Sequence, residues 1–211
     1  MFGRFAISRQ SVIDDDMKKI IFFIVCLIAV WAWIYFCGTK SYPPGVLVEK
    51  EPLQVIVREP TVIRVGNFTL ESLATYEIEA RVLHTKRYYS GPAASLAPYD
   101  VAVGWGAMSD QSVIDQFSLS QGNRFFFYEW FSHPPITPAK IICHSANMHL
   151  IPSSIGIRFT IAWLRPGDLI RMRGLLVQAT GPGMSPWRSS LSRTDTGNGA
   201  CELMYVESIE K

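Results

Sequence analysis

The sequence predicts a mainly β protein: a single N-terminal transmembrane helix followed by one β-barrel or β-sandwich domain with a short helix. Three observations carry this prediction. Ile20 to Cys37 is an uncharged run of eighteen residues, IIFFIVCLIAVWAWIYFC. The remainder alternates apolar and polar residues at strand period over many short stretches. Turn chemistry separates many of those stretches, as at Gln121-Gly122-Asn123, Pro166-Gly167-Asp168 and Gly181-Pro182-Gly183.

The apolar run comes first. At a helical rise of about 1.5 Å per residue it covers about 27 Å, close to the thickness of a bilayer's hydrocarbon core. A buried core helix rarely carries apolar residues on every face. Arg4, Arg9, Lys18 and Lys19 precede the run, whereas only Lys40 and Lys50 follow within a similar distance. Basic residues stay on the cytoplasmic side and Asp14 to Asp16 count for little, so the N-terminus is expected inside and the domain outside. Trp31, Trp33, Tyr35 and Phe36 crowd the outer end, where amphipathic rings sit at headgroup level. A cleaved signal would have a shorter apolar region and a small-x-small site. A lipoprotein signal would need small residues where Ile34, Tyr35 and Phe36 precede Cys37. The run therefore reads as an uncleaved anchor through residues 20–37. Residues 1–19 form a cytoplasmic tail, 38–45 a short Pro-containing linker and 46–211 the outer domain. The compact anchor suggests a bacterial inner membrane protein with a periplasmic domain.

From Ser41 to Lys211 there are 15 Lys+Arg and 15 Asp+Glu, so this part is formally neutral. A nucleic-acid partner would need a concentrated basic face, and none is expected. Leu53, Val55 and Val57 alternate with polar residues, and Thr61 to Val65 repeats the pattern after Pro60. Tyr76, Ile78, Ala80 and Val82 alternate with Glu77, Glu79 and Arg81 in the cleanest half-buried strand. Tyr99–Val103, Arg124–Trp130, Ile155–Trp163, Leu169–Arg173, Leu175–Ala179 and Cys201–Val206 also read as strands. In MSDQSVIDQF, Ser109 can cap a helix and Met108 and Val113 have staple spacing. Gly174 marks a bulge or sharp bend. Over about twenty residues, LRPGDLIRMRGLLVQATG resembles small barrels of the oligonucleotide/oligosaccharide-binding (OB) type, which implies an OB-like barrel.

Cys143 and Cys201 are the only cysteines of the outer domain, and in an oxidising compartment they are expected to form a disulfide. Cys26 and Cys37 belong to the apolar run. Cys143 begins CHSANMHLIP and Cys201 ends SSLSRTDTGNGAC, both polar stretches between apolar strands, and a Cys143–Cys201 bridge would bring His144, Asn147 and His149 near Arg193, Asp195 and Asn198. Imidazole, guanidinium and carboxylate together can bind a sugar, an anion or a peptide terminus. His144, Asn147, His149, Arg193 and Asp195 are therefore the candidate ligand-binding residues. RTDTGNG also has the composition of an ordinary surface loop. His144 and His149 match no metal-ligand spacing, so neither metal nor cofactor is expected.

The chain from His144 or His149 through Pro166-Gly167-Asp168 to Cys201 is similar to the membrane-anchored sortases, which implies a cysteine transpeptidase or hydrolase using Cys201. It departs from them where a Thr-Leu-x-Thr-Cys strand is replaced by Gly-Asn-Gly-Ala-Cys, and no arginine follows Arg193. No phosphate-binding glycine loop or nucleophile elbow is present. Arg124 to Phe131 places rings on both faces of a strand, and one face needs a cover. The leading expectation is a non-catalytic binding or assembly component of an envelope complex with a membrane or periplasmic protein partner. The sortase-like enzyme and a glycan or small-ligand module remain as alternatives.

Overall fold

The computed structural model describes the backbone of residues 9–211 and, within the first helix, the side chains of residues 16–31. The chain divides into two compact units, residues 1–38 and 39–211. The first contains α1 (Arg9–Cys37), which encloses the apolar run. Among the described residues no helix is long and apolar enough to cross a membrane. The basic tail residue Arg4 and the side chains of Arg9, Trp33, Tyr35, Phe36 and Cys37 lie outside the described residues.

The second unit is mainly β, as expected. Its frame is β1 (Leu53–Ile56), β2 (Val62–Val65), β3 (Phe68–Arg87), α2 (Pro92–Leu96) and β4 (Tyr99–Gly104). A 3-10 turn (Gly106–Ser109), α3 (Gln111–Ile114), β5 (Phe117–Gly122), β6 (Phe125–Trp130) and α4 (Pro138–Cys143) follow. The chain ends with β7 (Ser145–Pro152), α5 (Ile155–Ala162), β8 (Leu169–Gly181), β9 (Met184–Arg188) and β10 (Glu202–Glu210). The strand order β3-β4-β7-β10-β8 returns to β3, because β3 pairs with β4 through one stretch and with β8 through another. The five strands make a closed circuit in which only β7 and β10 run parallel. β1 and β2 flank β3, and β5 with β6 forms a separate hairpin.

Alternation builds the interior. Tyr76, Ile78, Ala80 and Val82 of β3 point inward with Val101 and Val103, Met148 and Leu150, Ile170 and Met172, and Met204 and Val206. Glu77 and Glu79 point outward and pair with Arg171 across the strands. β8 runs unbroken through Gly174, so the two strands expected there are one. A Cβ on Gly174 would lie 2.0 Å from the Tyr205 carbonyl oxygen, and β10 bulges beside it between Val206 and Ser208.

Three local expectations are corrected. Ile155–Trp163 is helical through Ala162, not a strand. Ser154 caps it by accepting a hydrogen bond from Ile157 N at 3.3 Å, and Ile157, Ile161 and Leu164 seal the core at helical spacing. Its β-branched residues suit either structure, so burial decided. The 108–117 segment contains only the four-residue α3, capped by Asp110 instead of Ser109. Ser109 Oγ instead accepts the Leu47 and Val48 N–H groups at 3.1 and 3.0 Å. The polar stretch CHSANMHLIP supplies β7, a central strand whose outward face carries Asn147 and His149.

Residues 39–48 form a strap on the domain. Tyr42 N and Gly45 N donate to the Gln111 and Asp110 side chains. Buried Arg81 beneath donates to Ser109 O and Gln111 Oε1, with Tyr42 stacked over it at 5.4 Å. Lys40 N donates to Pro166 O at 2.9 Å, while the Lys40 and Lys211 ammonium groups pair with buried Asp168 at 2.8 and 2.7 Å.

Candidate functional site

Cys201, just before β10, is the meeting point of two neighbouring clefts. Glu202 pairs with Met148 across the parallel strands, so Cys201 lies beside Asn147. Asn147 Nδ2 donates to Cys201 Sγ at 3.5 Å and to Arg124 O at 2.9 Å. One cavity of about 220 Å³ is lined by Asn147, Arg193, Asp195, Cys201 and Glu202 against Phe125 and Tyr128. A second, of about 420 Å³, is lined by Arg124, His149, Trp187 and Arg188 and shares Phe125, Gly197 and Cys201 with the first.

The second cavity is built on a buried polar cluster. β4 and β7 pair Asp100 with His149, and Asp100 Oδ1 lies at hydrogen-bond distance, 2.8 Å, from His149 Nδ1. Arg124 Nη1 donates to the same oxygen at 2.6 Å and to Ala97 O at 2.9 Å. Its guanidinium lies 3.9 Å from the Tyr88 ring and 5.4 Å from Trp187, and Trp187 packs on His149 at 4.8 Å. Arg124 occupies the β5–β6 turn with φ +70°, next to Asn123 at +51°. Left-handed backbone is costly for a bulky side chain. The turn accepts it while the guanidinium reaches back over the cleft.

The first cavity ends at the barrel mouth. Glu202 faces inward and is 5% exposed, and its Oε2 has no partner among the described residues. Burial pushes its carboxyl up to about 8, with Asp195 adding to the rise. Tyr76 Oη and the Arg193 guanidinium are buried against each other behind it. Burial, and then the Glu202 charge, raise the Tyr76 phenol further. Arg193 is held by its Nη2 donating to Pro52 O, and Asp195 accepts from Ser190 Oγ at 2.6 Å.

The expected cluster is thus divided. Asn147, Arg193 and Asp195 line the first cavity and His149 the second, with Asn198 also on the second. His144 belongs elsewhere: its ring lies under Gly106 and its Nδ1 accepts from Ala107 N at 3.3 Å. The expected Cys143–Cys201 disulfide is not formed, and both are free thiols. Strand register sets Cys201 beside Asn147, four residues beyond Cys143 at the end of α4. A bridge would require their Cα atoms to approach within about 7 Å.

Burial pushes the Cys201 thiol up to about 11, and its Sγ donates toward Arg124 O at 3.7 Å. A protonated, buried thiol is a weak nucleophile. Among the described residues no group of His, Cys, Asp and Glu is arranged to hold a metal ion. Sequence reading missed Arg124, Trp187, Asp100 and Glu202 as site residues. The Gln121-Gly122-Asn123 turn signal stood one residue from Arg124, but nothing in it announced the positive φ. No protein-family model matches the chain, and no curated protein or solved structure shows significant similarity to it.

Proposed function

We propose that the protein is a single-pass membrane-anchored, non-catalytic binding component of an envelope complex, and that the Cys201 clefts are its ligand site. The observation that carries this reading is the buried Glu202 Oε2, without a partner among the described residues, on the wall of an open cavity that Arg193 and Asp195 also line. Buried polar groups are ordinarily hydrogen-bonded, so a cleft that leaves a buried carboxyl oxygen without a partner favours a ligand with matching donors and acceptors. The apolar run at residues 20–37 and its flanking charges support the anchor and an extracytoplasmic domain.

The barrel reads as OB-like. Support comes from the order β3-β4-β7-β10-β8, the parallel β7–β10 pair and α5 between β7 and β8. Barrels of that type bind ligands on the face of their second and third strands, between the first and fourth loops. Here Asp100, Asn147 and His149 lie on that face, with Ala93 and the 184–201 segment around it. The neutral charge balance favours a glycan over a nucleic acid. A carboxyl that keeps its proton and the Trp187 and Phe125 rings suit a hydroxyl-rich ligand with apolar ring faces.

Titration of the full chain in detergent with N-acetylglucosamine oligomers tests this. Saturable quenching of tryptophan fluorescence that disappears in Trp187→Phe and Arg193→Ala is expected. Unchanged fluorescence and unchanged NMR shifts around the cleft would reject the glycan reading.

A protein partner is the second reading, favoured by the β5–β6 hairpin. Phe126 and Tyr128 pack inward, whereas Phe127, Trp130 and Phe131 stay exposed. Copurification lost in Phe127→Ser and Phe131→Ser, with Trp187→Phe unaffected, would place partner binding on the hairpin.

A further inference from the structure

α5 carries an apolar stripe that the barrel does not use. Ile157, Ile161 and Leu164 turn into the core, while Ile155, Phe159 and Trp163 are 67%, 61% and 71% exposed. Positions i, i+4 and i+8 form one continuous face of a helix. Exposed Ala162 and Arg158 lie on the same side, and a groove of about 410 Å³ runs between this face and Arg87 and Tyr99.

The position of this stripe gives it an occupant. Lys211 Nζ donates to the Trp163 carbonyl oxygen at 3.3 Å and pairs with Asp168. Lys40 pairs with the same carboxylate, and its N–H binds Pro166 O. The strap therefore enters the domain beside the end of α5. Only three peptide steps separate Lys40 from Cys37, the last residue of the apolar run, and even fully extended they cover no more than about 11 Å.

We propose that the Ile155–Phe159–Trp163 face of α5 rests in the headgroup layer of the bilayer that holds the anchor, with Arg158 and Arg87 meeting lipid phosphates along the groove. This rests on the anchored reading of residues 20–37. Aromatic and long basic side chains suit this layer, where a ring contacts the first methylenes and a guanidinium contacts a phosphate. The cleft around Cys201 lies at the other end of β10 from Lys211, nine residues or about 30 Å along the strand.

The test uses the full chain in phosphatidylcholine vesicles, with and without phosphatidylglycerol, in which a fraction of the lipid is brominated near the headgroup. Wild type is compared with Trp163→Phe, and extraction with alkaline carbonate checks the anchor separately. The expected result is bromolipid quenching greater in wild type than in Trp163→Phe, which keeps only the share due to Trp31 and Trp33, with the difference weakened by Phe159→Glu and strengthened by phosphatidylglycerol. Equal quenching in wild type and Trp163→Phe in carbonate-resistant vesicles overturns this inference and leaves the anchor standing. Trp163 shielded from aqueous acrylamide but not reached by bromolipid overturns it in favour of a protein cover. Release of the chain by carbonate overturns the anchored reading and this inference with it.

Discussion

Asp168 and Glu202 are both fully or nearly buried carboxyl groups, at opposite ends of the barrel, and their surroundings differ sharply. Burial opposes ionisation of Asp168, but Lys211, Lys40 and the Arg165 N–H outweigh it and hold its carboxyl below the usual range. Among the described residues Glu202 has no such cations at contact distance. Burial prevails there and the carboxyl keeps its proton through neutral pH. One end of the molecule is satisfied and locks both chain termini of the domain. The other is left unsatisfied beside a cavity. The paired and the unpaired buried carboxyl are thereby placed apart, and the fold does not depend on partnering the second.

The largest effect expected from breaking this contrast is at Asp168. Asp168→Ala leaves two ammonium groups without their shared partner, and denaturant unfolding should show a loss of about 3 kcal/mol or more. A loss no greater than that of a surface substitution would mean that the termini are not locked there.

Next comes Glu202, with opposite sign. Folded Glu202 binds its proton more tightly than the unfolded chain does. Stability should therefore fall as pH rises from the ordinary glutamate range toward about 8. Glu202→Gln should abolish that fall and gain roughly a few kcal/mol at alkaline pH. Asp168 works the other way: its contribution is present above the ordinary aspartate range and is lost as pH falls below it. A pH–stability curve of Glu202→Gln that parallels wild type would remove the contrast.

A smaller difference is expected at the cleft's turn. Arg124→Ala and Arg124→Gly both remove the clamp on Asp100, but only glycine accepts φ +70° without strain. The glycine variant should be more stable by about 1 kcal/mol, read from the unfolding midpoints. Smallest of all is Arg171→Ala. Its partners Glu77 and Glu79 sit on the solvated face, and no measurable shift of the midpoint is expected.

Much of the barrel was legible. β1 and β2 follow period-2 alternation, β4 and β6 stood out as short apolar or aromatic runs, and the inward set of β3 was readable from Tyr76 to Val82. β7 was not, because its outward residues Asn147 and His149 are polar and made a core strand look like a loop. α5 read as a strand because isoleucine and threonine suit both structures, and only the capping and burial of Ile157 and Ile161 distinguish them. Asn147, His149, Arg193 and Asp195, singled out by their chemistry, line the two neighbouring clefts. The route proposed for their meeting, a Cys143–Cys201 bridge, was wrong, and Arg124 and Glu202 went unnoticed.

By itself, the sequence determined what local rules can reach: a β-rich domain of balanced charge, its turns, and an apolar run with basic residues before it. These depend on the periodicity of near neighbours. Only the tertiary structure decided that β3 pairs with β4 and with β8 to close the circuit, that Cys201 falls beside Asn147, and that Glu202 is stranded at the barrel mouth while Asp168 is paired. Each depends on register between segments far apart in the chain, and a shift of one residue would turn the same side chains to the other face.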